Sequence, residues 1–183
     1  MSNIKMSDFP RGLTLVEDYI SKDYEAEIID WIDLQKWSNS ISRRTQHYGY
    51  EYNYTSRNLK KTTPLFGIIA DIQKDLCNIL KPNQCIINEY KYNQGISAHI
   101  DSFLFGPTIA SISLNEDTVM TFEYKDKICN FFVPKRSLLV LEDDARYKWL
   151  HSISKNIVYT HLDEKIVKPK DYRRISLTFR KTV

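Results

Sequence analysis

Residues 87–102 read INEYKYNQGISAHIDS, a strand, a turn and a second strand whose end carries His99 and Asp101. Neighbouring side chains in a strand point to opposite faces, whereas i and i+2 share one. An imidazole and a carboxylate are therefore expected to converge from a single strand face. The same period-2 alternation fills the sequence after Pro82: CIINEYKY (85–92), ASISL (110–114), TVMTFEYKD (118–126), KICNFFVP (127–134), SLLVLE (137–142), NIVYTHL (156–162) and RISLTFRKT (174–182). Roughly eight short, closely spaced strands preceded by helices predict a mainly β, α+β fold, a β-sandwich or jelly roll with N-terminal helices packed on one sheet.

Two helices are expected ahead of the strands. SKDYEAEIIDWIDL (21–34) has Ser21 to cap it, acids in its first turns and apolar spacing at Ile28, Ile29 and Ile32. TTPLFGIIADIQKDLCNIL (62–80) places Thr63 as N-cap and Pro64 at the first helical position, followed by a stripe of Leu65, Ile68, Ile69, Ile72, Leu76 and Ile79. One domain over 1–183 results: an N-terminal extension and lid over about 1–62, a buttressing helix over about 63–81 and a strand core over about 84–183.

Bulk properties set bounds. Hydrophobic residues make up 42% and charged residues 27%, ordinary for a soluble domain. No apolar run approaches the roughly 20 residues a membrane helix needs, and MSNIKMSDFPRG lacks the apolar segment of a secretory signal. Three widely spaced cysteines, Cys77, Cys85 and Cys129, fit free thiols in a reducing interior and not a disulfide framework. An intracellular monomer of the cytoplasm or nucleus, not secreted, is expected. The net charge of +3 permits an anionic partner without demanding one.

His99 and Asp101 need a third partner to hold a metal. Of the four histidines, His151 is the best placed, opening the strand-like HSI where a returning strand of a jelly roll can bring it alongside. Two imidazoles and a carboxylate leave roughly three of six positions open, a set suited to non-haem Fe(II) that must bind a co-substrate and O2 together. An HxD pair alone equally fits a solvated strand face. A second constellation supports the first. In RRISLTFRKT (173–182) Arg174, Ser176, Thr178 and Arg180 face one side, and Ile175, Leu177 and Phe179 the other. Two guanidinium groups on one face suit a molecule with a carboxylate at each end, with a basic, aggregation-resistant edge strand as the alternative. Asn88, Tyr90 and Tyr92 add amide and phenol donors on one face of the strand before the turn.

Taken in order, Asn88-x-Tyr90, Gly95, His99-x-Asp101, His151 and Arg174-x5-Arg180 resemble the AlkB family of Fe(II)/2-oxoglutarate dioxygenases. GLTLVEDYISKDYEAEIIDWID (12–33) and RRTQHYGYEYNY (43–54) look like the leading segment and substrate lid of that family. The resemblance implies a double-stranded β-helix in which His99, Asp101 and His151 ligate iron. It implies that Arg174, helped by Tyr90 and Ser176, pairs with the distal carboxylate of 2-oxoglutarate. Arg180 and Asn88 would hold the chelating end, with Ile96 and Thr178 lining the pocket. Fe(II) is then the cofactor, and 2-oxoglutarate and O2 the co-substrates of a C–H oxidation. On an N-methyl group that oxidation ends in demethylation with loss of formaldehyde.

The substrate is read from the lid. Tyr48, Tyr50, Tyr52 and Tyr54 alternate, so a strand there would show four rings on one face. Arg43, Arg44 and His47 precede them, and Arg57, Lys60 and Lys61 follow. Rings flanked by cations suit an extruded base and its phosphates; equally, such a stripe can pack on the core with solvated basic neighbours. RRTQHYGYEY and SISLNEDTVMTF are similar to the branch that includes the tRNA wobble-uridine hydroxylase, although these 183 residues hold neither an RNA-recognition module nor a methyltransferase domain. Phe103 stands where the alkyl-DNA repair branch has an acid, which points away from repair of methylated adenine or cytosine. The favoured expectation is an oxygenase acting on a nucleic-acid base, RNA or tRNA over DNA. An oxygenase of protein side chains or small molecules, and a non-catalytic jelly-roll binding module, are the alternatives.

Overall fold

The computed structural model describes residues 9–53, 56, 58–161 and 164–183. In chain order the elements are β1 (Leu13–Val16), α1 (Lys22–Asp33), β2 (Thr45–Tyr48), β3 (Tyr50–Asn53), β4 (Asn58–Lys61), α2 (Gly67–Asp75), β5 (Gln84–Lys91), β6 (Ile96–His99), β7 (Phe105–Leu114), β8 (Thr118–Tyr124), β9 (Lys127–Val133), β10 (Leu138–Leu141), α3 (Asp143–Tyr147), β11 (Leu150–Ile153), β12 (Val158–His161), β13 (Glu164–Val167) and β14 (Arg173–Thr182). Antiparallel pairing builds a six-stranded sheet, β1-β10-β7-β14-β5-β2, and a four-stranded sheet, β6-β11-β8-β9. Two hairpins, β3–β4 and β12–β13, stand beside them.

This is the expected jelly roll with helices on one sheet. The large sheet draws β1 and β2 from the first 62 residues, so the strand core is not confined to 84–183. Its outer face, with Cys85, Ile87, Ala110, Ile112, Leu114, Leu138, Val140, Ile175, Leu177 and Phe179, packs against Ile28 and Ile32 of α1 and Ile68, Ile69 and Ile72 of α2. Each fully buried aliphatic or aromatic side chain contributes about 1.5–3 kcal/mol, so β14 alone pins the sheet to the helices through three residues. A second cluster of Ile109, Phe122, Val133, Leu139, Leu141, Ala145 and Trp149 fills the space between the sheets.

Ser21 caps α1 as expected, its side chain accepting the Tyr24 N–H at 3.1 Å. The second helix begins later than expected, with Phe66 and not Thr63 at its N-cap. The backbone of Thr62 and Thr63 is committed elsewhere: the Thr62 N–H donates to the Gly49 carbonyl and the Thr63 carbonyl accepts the Gly49 N–H. That pairing holds the segment away from helical geometry until Gly67. A short 3-10 turn at Leu76–Asn78 ends the helical stretch. Among the described residues no helix is long and apolar enough to cross a membrane.

Candidate active site

His99 closes β6, and His151 sits on β11 directly opposite it, the two being Cα partners across the strand pair. Their ring centroids lie 4.3 Å apart. The turn from β5 into β6 makes this close pairing possible through Gly95, where a Cβ would overlap the Ile153 carbonyl of β11. Asp101 is not on the strand with His99, because β6 ends at His99. Its convergence does not come from period-2 alternation: Asp101 lies past the strand end, where its carboxylate turns toward Arg180. Arg180 Nη2 donates to Asp101 Oδ1 at 2.6 Å, and Asp101 Oδ2 lies 3.5 Å from His151 Nε2. One ligand atom from each of the three residues falls within 4.8 Å of the others.

The residues around this cluster prepare it. His99 Nδ1 is 2.8 Å from the Ser97 carbonyl oxygen. That oxygen can only accept, so Nδ1 carries the proton and Nε2 presents its lone pair. Burial, then the neighbouring His151, pushes the His99 pKa down and keeps the ring neutral. Burial by itself would raise the Asp101 carboxyl, but Arg180 and the two imidazoles overcome it and hold the carboxyl well below the usual range. Two imidazoles and one ionised carboxylate meeting at one point fit a divalent transition metal.

The loop bearing Asp101 is held by a residue that pattern reading missed. Arg146 of α3, 1% exposed, donates to four main-chain carbonyls: Asp101 at 2.9 Å, Ser102 at 2.8 Å, Phe105 at 3.0 Å and Gly106 at 3.1 Å. Its ligands are backbone atoms, which leave no mark in sequence. Gln84, Phe105, Ser111 and Ser113 also line or support the site without having been singled out. Ser111 and Ser113 alternate within ASISL and Gln84 stands one residue ahead of CIINEYKY, so their face was legible there, but their partners on β14 were not.

Strand β14 shows the predicted two faces. Ile175, Leu177 and Phe179 are fully buried under the helices. Arg174, Ser176, Thr178 and Arg180 point between the sheets, where Ser176, Thr178 and Arg180 share a cavity with Asn88, Tyr90, Ile96, His99, Asp101 and His151. Ser111 Oγ bridges Ser176 Oγ at 2.9 Å and Thr178 Oγ1 at 3.4 Å. Arg174 is 1% exposed; its Nε donates to Ser113 Oγ at 3.0 Å, and its Nη1 is buried with no hydrogen-bond partner. Its guanidinium carbon lies 5.6 Å from the Tyr90 ring centroid. A buried guanidinium held by one hydroxyl, with a nitrogen left over, fits a carboxylate ligand. Arg180 keeps a buried Nε without a partner beside its bond to Asp101.

The lid residues divide. Arg43, 8% exposed, lines a cavity of about 460 Å³ in front of the metal cluster with Tyr52, Asn88, Ile96, His99 and Phe105 among its walls. Tyr52 stands 6.2 Å from Phe105, ring to ring. Arg44 is not a free phosphate contact: its guanidinium grips Glu89 through two 2.6 Å bonds and lies 4.6 Å from the Trp37 ring. His47, facing the same side of the sheet as Ile86, is bonded to Thr45 Oγ1, and burial pushes its pKa down. The four-ring stripe does not form. Gly49, at φ +76°, breaks the strand; Tyr48 ahead of it turns to the helix side against Trp31 and Phe66. Tyr50 and Tyr52 continue in β3, half-buried. Lys60 is exposed on β4 opposite Glu51. Tyr54 and Arg57 lie outside the described residues.

Comparison with known proteins agrees with this geometry. Residues 23–180 match the family model described as the 2OG-Fe(II) oxygenase superfamily. The tRNA (carboxymethyluridine(34)-5-O)-methyltransferase ALKBH8 of Macaca fascicularis is 38% identical over 162 residues, covering 79% of this chain and 24% of the relative. This chain thus spans about a quarter of that protein's length. The uncharacterized protein L905 of Acanthamoeba polyphaga mimivirus is 32% identical over 183 residues, covering 94% of this chain and 85% of the relative. Among solved structures, that of OsALKBH1 has the same fold, with a TM-score of 0.74 at 16% identity over 94% of this chain and 97% of that one.

Proposed function

The chain belongs to the 2OG-Fe(II) oxygenase superfamily as an AlkB-family, 2-oxoglutarate-dependent dioxygenase, and from that premise we propose that it oxidises a C–H bond on a nucleic-acid base, RNA in preference to DNA. The observation that carries this reading is the 460 Å³ cavity lined by His99 and Asp101 of the metal cluster and walled on one side by the Tyr52 and Phe105 rings, 6.2 Å apart. The two rings, 53° off parallel, form one aromatic wall against which a flat base can lie, with His99 and Asp101 lining the same cavity. The relative from Macaca fascicularis is named for a tRNA uridine, which supports RNA over DNA.

His99, Asp101 and His151 would hold Fe(II), which with 2-oxoglutarate and O2 supplies the oxidising chemistry and releases succinate and CO2. The protein's part is ligation, orientation and exclusion of water. His99 offers Nε2 because Ser97 holds the proton on Nδ1. Arg180 keeps Asp101 ionised and aimed, and Arg146 fixes the loop that carries it. Arg174, with Ser176 and Tyr90 beside it, takes the distal carboxylate of 2-oxoglutarate. Asn88 and the spare Nε of Arg180 would hold its chelating end, with Ile96 and Thr178 lining the same pocket. In this reading the protein's residues bind and orient, and none acts as a nucleophile.

The test is direct. Total RNA incubated with the protein, Fe(II), ascorbate and 2-oxoglutarate is digested and its nucleosides weighed by mass spectrometry. A base gaining one oxygen, or losing a methylene equivalent, is expected only with all components present. Succinate formation with no change in any nucleoside would move the substrate to proteins or metabolites.

A further inference from the structure

We infer that Arg43 sorts substrates by charge: the site takes a base that is neutral or anionic and carries carbonyl or carboxylate acceptors, and turns away a base made cationic by N-alkylation. The inference rests on the nucleic-acid reading above.

Arg43 stands just ahead of β2 with its side chain buried against the large sheet. Its Nε donates to Asn88 Oδ1 at 2.8 Å, and its guanidinium carbon lies 5.7 Å from the Tyr90 ring. The two terminal nitrogens make no hydrogen bond or ion pair among the described residues, and the residue lines the large cavity. The other arginines at this end of the sheet are compensated. Arg44 has Glu89, Arg173 has Glu89 and Asp33, and Arg180 has Asp101. Arg174 lacks an acid too, but its spare nitrogen belongs to the co-substrate pocket. Arg43 is the arginine whose charge is left to the substrate cavity. Its terminal donors face the cavity and are open to an acceptor on whatever enters it.

Charge balance around the cavity points the same way. Its described lining holds two guanidiniums, Arg43 and Arg180, and one carboxylate, Asp101. That carboxylate is already bonded to Arg180 and directed at the metal cluster. Fe(II) and the 2-oxoglutarate dianion, bound together, would cancel in charge and leave this balance as it stands. The aromatic wall gives a cationic base little relief, because the Phe105 ring already has the Arg180 guanidinium carbon 4.8 Å from its centroid. A cation entering this cavity meets one uncompensated guanidinium, Arg43, and no free acid in the described lining. An acceptor-bearing ring meets an open guanidinium fork matched to a carboxylate or carbonyl pair.

The experiment measures binding under anaerobic conditions with Fe(II) and 2-oxoglutarate, where no turnover occurs. The probes are short oligoribonucleotides with a single central 5-carboxymethyluridine, its uncharged carboxamide, 3-methylcytidine or plain uridine. Wild type is expected to bind the carboxymethyl probe at least about tenfold tighter than the 3-methylcytidine probe, with the carboxamide between. Arg43→Gln, which keeps an amide donor for Asn88 and drops the charge, should bring that ratio close to one. Arg43→Glu should reverse it, and if that variant does not fold, Arg43→Gln decides alone. Equal or tighter wild-type binding of 3-methylcytidine, or a ratio preserved in Arg43→Gln, overturns the charge filter while leaving the nucleic-acid reading in place. Failure of every probe to bind at low salt removes both together.

Discussion

Arg174 and Arg146 are both about as deeply buried as a guanidinium can be, yet their environments differ. Arg146 spends its donors on four carbonyls of one loop, whereas Arg174 has one hydroxyl and a nitrogen without a partner. The first is satisfied within the protein, and the second has donor capacity to spare for the proposed carboxylate ligand. Arg174→Ala should weaken 2-oxoglutarate binding by about 2–5 kcal/mol, the range for removing one partner of a buried charge pair. Arg174→Lys should recover part of it, because an ammonium cannot make the two-pronged contact; titration calorimetry reads both. Arg146→Lys should loosen the Asp101 loop, lowering Mn(II) affinity by about tenfold while circular dichroism shows an intact fold. Unchanged Mn(II) binding would leave Arg146 with no part in positioning the site. For the metal cluster, His99→Ala, Asp101→Asn and His151→Ala should each abolish succinate formation, and near-normal turnover in any of them removes that residue from the ligand set.

Among the elements, an electrostatic tie adds to the apolar packing between α1, β5 and β14. Glu89 of β5, its side chain almost fully buried, receives Arg44 and Arg173, and Arg173 reaches on to Asp33 at the end of α1. Removing its charge with Glu89→Gln should cost about 2–3 kcal/mol. That is less than the 3–5 of a fully buried pair, because both arginines keep partial access to solvent. Burial alone would raise the Glu89 pKa, but the two arginines depress it below the usual carboxylate value. Its contribution is therefore complete above the unfolded value of about 4.5 and lost as pH falls from there toward the folded value. Urea melts between pH 5 and 3 should show a shallower acid limb in Glu89→Gln than in wild type. The β3–β4 hairpin behaves differently, with Tyr52 over the cavity and Lys60 in solvent. Tyr52→Ala should weaken RNA binding by about 1–3 kcal/mol with little change in its salt dependence. Lys60→Ala should lower the slope against log[salt] by about one unit. Arg44→Ala is expected to reduce thermal stability and leave that slope unchanged.

Over the whole molecule, what could be read in advance was whatever the chain writes as strict alternation. RRISLTFRKT has one apolar and one polar face, and both were recovered with their residues. His151 was legible only as the histidine a returning strand could deliver, and β11 delivers it opposite His99. Errors arose where one backbone feature redirects a pattern. A single glycine with positive φ sends Tyr48 and Tyr50 to different surroundings, and the end of β6 places Asp101 off the strand. Arg43 and Arg44 look equivalent in sequence. They separate because Asn88, which Arg43 meets, faces inward on β5, while Glu89, which Arg44 meets, faces out. That distinction becomes visible only once β2 is known to pair with β5.

The two sheets also divide the ligands between them. Both imidazoles stand on the four-stranded sheet, whereas both inward-facing arginines of β14 stand on the six-stranded one. Metal and co-substrate, chelated to each other, would then act as a rivet through the sandwich, with each sheet gripping one end. Folding and loading become linked equilibria: any opening of the layers has to release the rivet first. At a hundredfold excess over its dissociation constant, a ligand that binds only the closed form adds about 2.7 kcal/mol. Mn(II) and 2-oxoglutarate together should therefore raise the melting temperature by more than the sum of their separate effects. The surplus should vanish in Arg174→Ala, where one end of the rivet has lost its head.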